Sequence, residues 1–356
     1  MQGSNASFGR FRNLGALPDL LGQALGQKGL DQVFRTRNVS PEQARKLDGV
    51  LLMRDLFALF HHASIATGIR SIGLEAARSR TIHDLGLYGR HISQAPILID
   101  ALHRSNSALR YHSSGNILTV HVDKNELSIR YRSTLENLNG WRHMGDFSLY
   151  MFRSLAACYL GDAFSPLRIE TSCEDPAALQ DLEEYFDAPA IGGHDWHSIV
   201  LPRDVSHAPL LSPPKPDEIV QLDDLNRLGR TLPDSFEKVV EAIIDLRLND
   251  GASDIEGVAQ TLGLGPRSLQ RRITEHGLTY RQLLQRRRMH RASNLLANPS
   301  LTIQQIGHKA GYADTAQFTR AFKDSVGITP SDFREMYRRL SPPEESRPDS
   351  RLLVGI

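Results

Sequence analysis

The stretch from Asp254 to Arg334 is written twice, and that repetition limits the fold of this end of the chain more than any other feature. Its first half reads DIEGVAQTLGLGPRSLQRRI and its second TIQQIGHKAGYADTAQFTRAF. Ile255, Val258, Leu262 and Gly263 answer to Ile303, Ile306, Ala310 and Gly311. Beyond the glycine the register slips by one residue, so that Leu269, Arg271 and Ile273 answer to Phe318, Arg320 and Phe322. A turn absorbs one extra residue and a helix does not, so each half is expected to be helix, glycine turn, helix. Apolar residues at three- and four-residue spacing, then a glycine where a positive backbone angle is needed, are the grammar of a helix-turn-helix.

On the second helices Leu269/Ile273 and Phe318/Phe322 lie four apart and mark the buried side. At about 100° per residue the opposite side carries Arg267 and Arg271 in one copy, Ala316 and Arg320 in the other. An arginine there can make a bidentate contact to guanine in the major groove, at about 1–3 kcal/mol of discrimination. One exposed arginine is ordinarily just solvated; arginines at matched positions of two copies favour the reading of bases. Between the copies, TYRQLLQRRRMHRASNLLANP keeps helical spacing through Tyr280, Leu283, Leu284, Ala292, Leu295 and Leu296 until Asn298 and Pro299 stop it. A helix of about 20 residues is about 30 Å long, near the roughly 34 Å between successive major-groove turns on one face of DNA. The run Arg286, Arg287, Arg288 and Arg291 on this connector is either a solvated face or a set of phosphate contacts.

These residues resemble the AraC/XylS family of transcription regulators. The resemblance covers about the last third of the chain and is densest in GYADTAQFTRAFKDSVGITPSDFR, through Gly311, Tyr312, Phe318, Arg320, Phe322, Lys323, Gly327, Pro330, Phe333 and Arg334. It implies an all-α domain of seven helices, two helix-turn-helix motifs joined by a long helix, and binding to double-stranded promoter DNA. The base contacts it implies fall on Arg267, Arg271 and Arg320. With their neighbours on the same helices, the candidate base-contact set is Arg267, Gln270, Arg271, Thr315, Gln317, Thr319 and Arg320. The candidate phosphate contacts are Ser268, Arg286, Arg287, Arg291 and Lys323. Two residues depart from the family pattern. Gly307 stands where alanine is usual, at a helix cost of about 0.5–1 kcal/mol, and Ala316 replaces a polar residue. The second unit is therefore expected to read fewer bases than the first.

Charge supports this division of labour. The chain of 356 residues carries a net charge of only +1, but residues 251–340 hold 14 Lys and Arg against 7 Asp and Glu, leaving the remainder acidic. A basic end on an acidic body is the electrostatic footprint of a DNA-binding domain joined to a regulatory one. Cys158 and Cys173 follow neither a disulfide framework nor a zinc spacing, which favours a reducing cytosol. The start, MQGSNASFGRFRN, lacks the apolar core of a signal peptide, and the longest apolar stretch, VLLMRDLFALF, is interrupted by Arg54 and Asp55. The expectation is a cytoplasmic, nucleoid-associated bacterial protein with no membrane segment.

Ahead of the repeat the texture is α+β. A mobile start over 1–13 is expected, then a helix in LPDLLGQALGQKGL and a second opened by Ser40, Pro41 and Gln43, with Leu51, Leu52, Leu56, Leu59 and Phe60 as core. Further helices are expected around 82–92 and 96–103, then a hairpin over ILTVHVDKNELSIRYRS, a helix from Phe147 to Leu160, a strand over 167–171, a helix capped by Asp175, and a strand at HSIVL. Residues 14–206 thus form one α+β domain in this reading. HAPLLSPPKPDE begins a linker or extended strap over 207–233, within which a weakly amphipathic piece near 219–228 is a candidate aid to dimerisation; residues 234–340 are expected to be the DNA-binding domain, and 341–356 a disordered tail. Asp234 and Ser235 are expected to open the first helix of the DNA-binding domain, with Val239, Val240, Ile243 and Ile244 inside. The N-terminal region also resembles the arabinose-binding-like domain of the ornithine-utilisation and virulence branch of the family, on GLYGRHISQAPILIDAL, on Leu160, Gly161 and Pro166, and on YFDAP at 185–189. That resemblance implies sensing of a small molecule and dimerisation.

Other chemistry finds little footing. HExxH, a phosphate-binding glycine loop and Gly-x-Ser-x-Gly are absent from the sequence. His194 and His197, beside Asp195, come nearest to a metal site, and two histidines three apart are a weak signal. Trp141, Arg142, His143 and Trp196 are either pocket residues or structural aromatics. No catalytic residue, cofactor or metal is expected. The reading is an effector-responsive activator that works on promoter DNA and RNA polymerase as a homodimer. The alternatives are an architectural DNA-binding protein of low specificity and an N-terminal enzyme fused to a DNA-binding domain.

Overall fold

The computed structural model describes residues 6–37, 39–45, 47, 49–227, 232–233, 235–249, 251 and 253–340, and the chain divides into two compact units, 6–232 and the residues from 233 onward. The tail expected at 341–356 and the opening role expected of Asp234 lie outside the described residues.

The N-terminal unit begins earlier than expected. Residues 6–13, expected to be mobile, are built into the fold: β1 (Phe8–Arg10) pairs antiparallel with β2 (Val50–Leu52). Phe8 is fully buried, and Arg10 Nε donates to the carbonyl of Tyr111 at 2.7 Å. A three-residue strand is too short to show alternation, so the sequence hid it. After α1 (Leu17–Arg35), interrupted at Gly26, Ser40 and Gln43 form the expected capping box, with Ser40 N–H donating to Gln43 Oε1 at 2.6 Å. The helix it opens is only one turn, α2 (Pro41–Ala44). The single helix expected there divides because Val50–Leu52 complete the ladder with β1, and α3 (Met53–Thr67) starts after them. α4 (Ile72–Arg78) was not expected; five of its seven residues are buried, so no polar side reveals a period. α5 (Leu87–Ser93), preceded by a tight turn at Ile82–Leu85, and α6 (Leu98–Ser107) take the two segments that follow.

The hairpin of β3 (Asn116–Val122) and β4 (Glu126–Ser133) forms as its alternation requires, and it extends into a five-stranded sheet of order β3-β4-β7-β5-β6. β5 (Arg168–Glu170) and β6 (Ala190–Ile191) run parallel, and β7 (His197–Pro202) is antiparallel to both β4 and β5. α7 (Trp141–Leu160) lies between this sheet and α3 and α4. It starts well before the expected Phe147, because Trp141 is buried with its ring 6.0 Å from Phe57, 5.0 Å from Tyr131 and 4.8 Å from His197. Such aromatic contacts anchor a helix end more firmly than its propensity does. α8 (Pro176–Phe186) is capped by Asp175 as expected, the carboxylate accepting from Ala177 N–H at 3.2 Å.

Of residues 207–233, read as linker or strap, the described stretch 207–227 runs along this unit. Leu98 N–H donates to Ala208 O at 3.1 Å, Leu210 N–H to Pro96 O at 3.0 Å and Leu211 N–H to Cys158 O at 3.0 Å. Further on, Val220 N–H donates to Gln94 Oε1 and its carbonyl bonds His91 Nδ1, each at 2.8 Å. α9 (Leu222–Arg227) then buries Leu225.

The second unit is all-helical among the described residues: α10 (Phe236–Asn249), α11 (Ile255–Thr261), α12 (Pro266–Glu275), α13 (Tyr280–Leu296), α14 (Ile303–Lys309), α15 (Thr315–Val326) and α16 (Pro330–Leu340). Val240, Ile243 and Ile244 of α10 are fully buried, as their spacing requires. The repeat is preserved in three dimensions. Four residues separate α11 from α12 and five separate α14 from α15, which is where the register slips. Both turns carry glycine in the left-handed region, Gly263 at φ 67° and Gly311 at φ 84°. The connector α13 has 17 residues, so it is about 25 Å long, a turn short of the length expected.

Candidate nucleic-acid interface

In the first helix-turn-helix, Asp254 caps α11. A hydrogen bond from Gly257 N–H at 2.7 Å holds its carboxyl below the usual carboxylate range. α12 sets Leu269 and Ile273 inside, and Arg267, Gln270 and Arg271 are left exposed. These three line one open concavity together with Thr274 and Glu275. Ser268 is half-buried beside them. Arg271 Nε lies 3.7 Å from Glu275 Oε1 one turn on, with both side chains more than 60% exposed. An exposed pair of this kind is worth at most about 1 kcal/mol, so a better partner can displace it.

In the second copy, Asp314 caps α15 through Gln317 N–H at 2.7 Å. Phe318 and Phe322 are fully buried, and Gln317, Arg320 and Lys323 are exposed. Thr315 and Thr319 are half-buried, and the Thr319 hydroxyl donates to the Thr315 carbonyl at 2.8 Å, so its proton is already committed to the helix backbone. The core here is aromatic: Phe318 sits 5.6 Å from Tyr312 and 5.7 Å from Phe322, and Phe322 5.6 Å from Phe333. Gly307 belongs to that packing. A Cβ built on it would stand 3.2 Å from Phe318, so the residue that costs helix propensity lets α14 approach α15.

The arginines of α13 do not share one face. Arg286 Nη1 reaches Glu237 at 3.0 Å but stays exposed. Arg287, expected at phosphates, turns inward: its side chain is 21% exposed, Nε donates to Asp245 Oδ1 at 2.9 Å, and Nη1 lies 3.8 Å from Glu241. That bidentate arrangement ties α13 to α10. Arg288 lies over the Tyr312 ring at 5.1 Å and reaches Ser253 Oγ at 3.4 Å. Arg291 is half-buried. Nor was the role of Arg334 foreseen; it donates to the carbonyls of Leu296 at 3.3 Å and Leu301 at 2.8 Å, satisfying the end of α13. The clamp had a signal in the sequence. Glu237, Glu241 and Asp245 recur every four residues along α10, a row of carboxylates suited to an arginine row opposite.

The residues weighed for other chemistry part company. His197 is fully buried, its ring nitrogens 3.0 Å from Thr171 Oγ1 and 3.2 Å from Ser172 Oγ, and burial drives its pKa down to about 3. His194 lies instead against Trp196, whose Nε1–H donates to Glu170 Oε2 at 2.8 Å under the guanidinium of Arg130. Among the described residues, no group of three or more His, Cys, Asp or Glu is placed to hold a metal ion, and no helix is long and apolar enough to cross a membrane. Cys158 and Cys173 are both free.

Two helix-turn-helix units on one compact body, behind a separate α+β unit, define a two-domain transcription regulator. Comparison with known proteins agrees. The model of a helix-turn-helix domain matches residues 258–336, and that of the arabinose-binding domain of AraC transcription regulators matches residues 29–210. The chain belongs to the AraC family of transcription regulators, with an effector-binding type of N-terminal domain and a helix-turn-helix domain that binds DNA. It is similar to the ornithine utilization regulator of Pseudomonas aeruginosa, 24% identical over 85% of this chain and 90% of that protein. Over the helix-turn-helix end it is similar to the urease operon transcriptional activator of Escherichia coli, 35% identical over 25% of this chain and 30% of that one. The solved structure of the regulator CdpR from Pseudomonas aeruginosa aligns over 85% of this chain and 96% of its own, at 18% identity and a TM-score of 0.37. The family is one of regulators, not of enzymes.

Proposed function

We propose that this protein is an effector-responsive activator that reads promoter DNA through two unequal helices. One observation carries the reading: Arg271 and Arg320 are exposed at matched positions of the two copies, each opposite a buried apolar pair. Arg267, Gln270 and Arg271 read bases from α12. Arg320 and Gln317 do so from α15, with Thr315 and Thr319 beside them giving mainly methyl contacts. Ser268, Arg286, Arg291 and Lys323 meet phosphates. Arg287 serves the fold, because it is already paired with Asp245 and Glu241.

The N-terminal unit holds the effector and the contacts of a homodimer, the strap passes the signal on, and the DNA-bound form recruits RNA polymerase in the cytoplasm. No step in this account needs turnover. An effector of this kind acts by population shift, so it must bind the active arrangement more tightly than the inactive one. Promoters of ornithine utilization genes, after the name of the relative similar over most of the chain, are a setting to search for targets. The test is binding to promoter and random duplexes across a salt series. A regulator holds its promoter about 10³-fold or more above random DNA. A ratio of a few-fold at every salt concentration would instead favour an architectural binder.

A further inference from the structure

The α+β unit has a partly open cavity of about 50 Å³ between α5, α6, the hairpin and α7. We infer that it is a binding site for a small uncharged molecule that carries hydrogen-bond donors on an apolar body. This rests on the reading of the N-terminal unit as the effector domain. A water needs about 10–15 Å³ of such space, so the cavity has room for about three to five water-sized groups. Its walls are chiefly apolar, with Phe147, Met151 and Phe152 among them, and no Asp, Glu, Lys or Arg lines it. A carboxylate or ammonium held there would lack a counter-ion, and an unpaired buried charge costs far more than a buried hydroxyl or amide. A basic amino acid is therefore the wrong occupant.

Two acceptors on residues that line the cavity have no donor in the fold. His112 Nε2 pairs with Asn13 Oδ1 at 2.6 Å, and its other nitrogen, Nδ1, is buried without a partner. Burial keeps this ring neutral, its pKa pushed down to about 3, so Nε2 donates to Asn13 and Nδ1 presents a lone pair. Asn116 Nδ2 donates one proton to Ser113 Oγ at 2.5 Å, and its Oδ1 is likewise buried and unpartnered. Buried acceptors without donors are rare and call for an explanation. Tyr131 and Ser148 stand on the same wall, the Ser148 proton going to the Met144 carbonyl at 2.8 Å.

The position also suits control. His112 follows directly on Arg110 and Tyr111, which hold the strap: Arg110 O accepts from Leu232 N–H at 3.4 Å, and the Tyr111 hydroxyl bonds Asn226 of α9. Ile92, which also lines the cavity, follows His91, which bonds Val220. A molecule that moves these walls moves the anchors of the strap.

The test uses the full chain without DNA and three probes of one shape: isobutyramide, isobutyrate and isobutylammonium. Isobutyramide is expected to raise the unfolding midpoint and slow amide exchange over 109–118 and 222–227, whereas the two charged probes leave both unchanged. Ser148→Leu, which fills the space, and Asn116→Leu, which removes an acceptor, are each expected to weaken isobutyramide binding about tenfold or more. Equal response to all three probes, no response to isobutyramide, or full binding by Ser148→Leu overturns the site. Binding that leaves promoter affinity untouched upholds the site and counts against the effector role given to the unit.

Discussion

The two helix-turn-helix units come from one repeated pattern, yet they are packed differently and expose different side chains. The first is packed on aliphatic residues, Leu269 and Ile273, and presents two arginines and a glutamine on an exposed face. The second is packed on a chain of aromatic rings through Phe318, with Gly307 admitting the close approach, and presents one arginine with Gln317 and Lys323. Even the starts of the two recognition helices differ. α12 begins after Gly265 with no side-chain cap, and α15 after Asp314, whose carboxylate caps it. A negative cap near the phosphate backbone is a poor neighbour for DNA and a good one for the helix. The difference teaches that one repeated pattern can be packed in two ways, with an aliphatic core under two exposed arginines in one copy and an aromatic core under one in the other.

The comparison breaks most readily at the second core. Phe318→Ala removes the ring shared by Tyr312, Phe322 and Gly307, and is expected to cost about 3–5 kcal/mol in urea unfolding of the DNA-binding unit. Next come the readers. Arg271→Ala and Arg320→Ala are each expected to weaken promoter binding by about 1–3 kcal/mol and to relax choice at one base position, measured by titration against single-base variants of the site. Arg287→Ala sharpens the account of α13: about 1 kcal/mol of stability is expected to go with its pairs to Asp245 and Glu241, while the salt slope of DNA binding stays as in the parent. Lys323→Ala should do the reverse, lowering that slope by about one with little change in stability. The smallest effect is at Gly307. An alanine there gains about 0.5–1 kcal/mol of helix propensity but must push on a ring fixed on two sides, so Gly307→Ala is expected to fall slightly below the parent in stability.

The repeat was legible because its residues face one way at a known period. Leu269, Ile273, Phe318 and Phe322 are buried where their spacing puts them, and the slipped register lies in the turn. The inward turn of Arg287 was not legible from α13 alone, since a run of arginines has no face until its partner helix is known; the row Glu237, Glu241 and Asp245 supplies it. In the N-terminal unit the hairpin and the Asp175 cap were plain from local pattern. β1, β2 and α4 were not, because a strand of three residues and a helix buried nearly all round carry no period. The cavity was less legible still. His112, Asn116 and Tyr131 lie in or just before the hairpin and are unremarkable one by one, and only the packing of α5, α6 and α7 on the hairpin makes them line a cavity.

The unequal division between the two copies is tested most directly by selecting binding sites from a randomised duplex with the parent, Arg267→Ala/Arg271→Ala and Arg320→Ala proteins. The account expects the parent to select two blocks of preferred bases about one helical turn apart. The richer block should vanish in the double variant, and the poorer one should lose a single position in Arg320→Ala. Two blocks of equal strength, or a richer block that survives the loss of both α12 arginines, would contradict it.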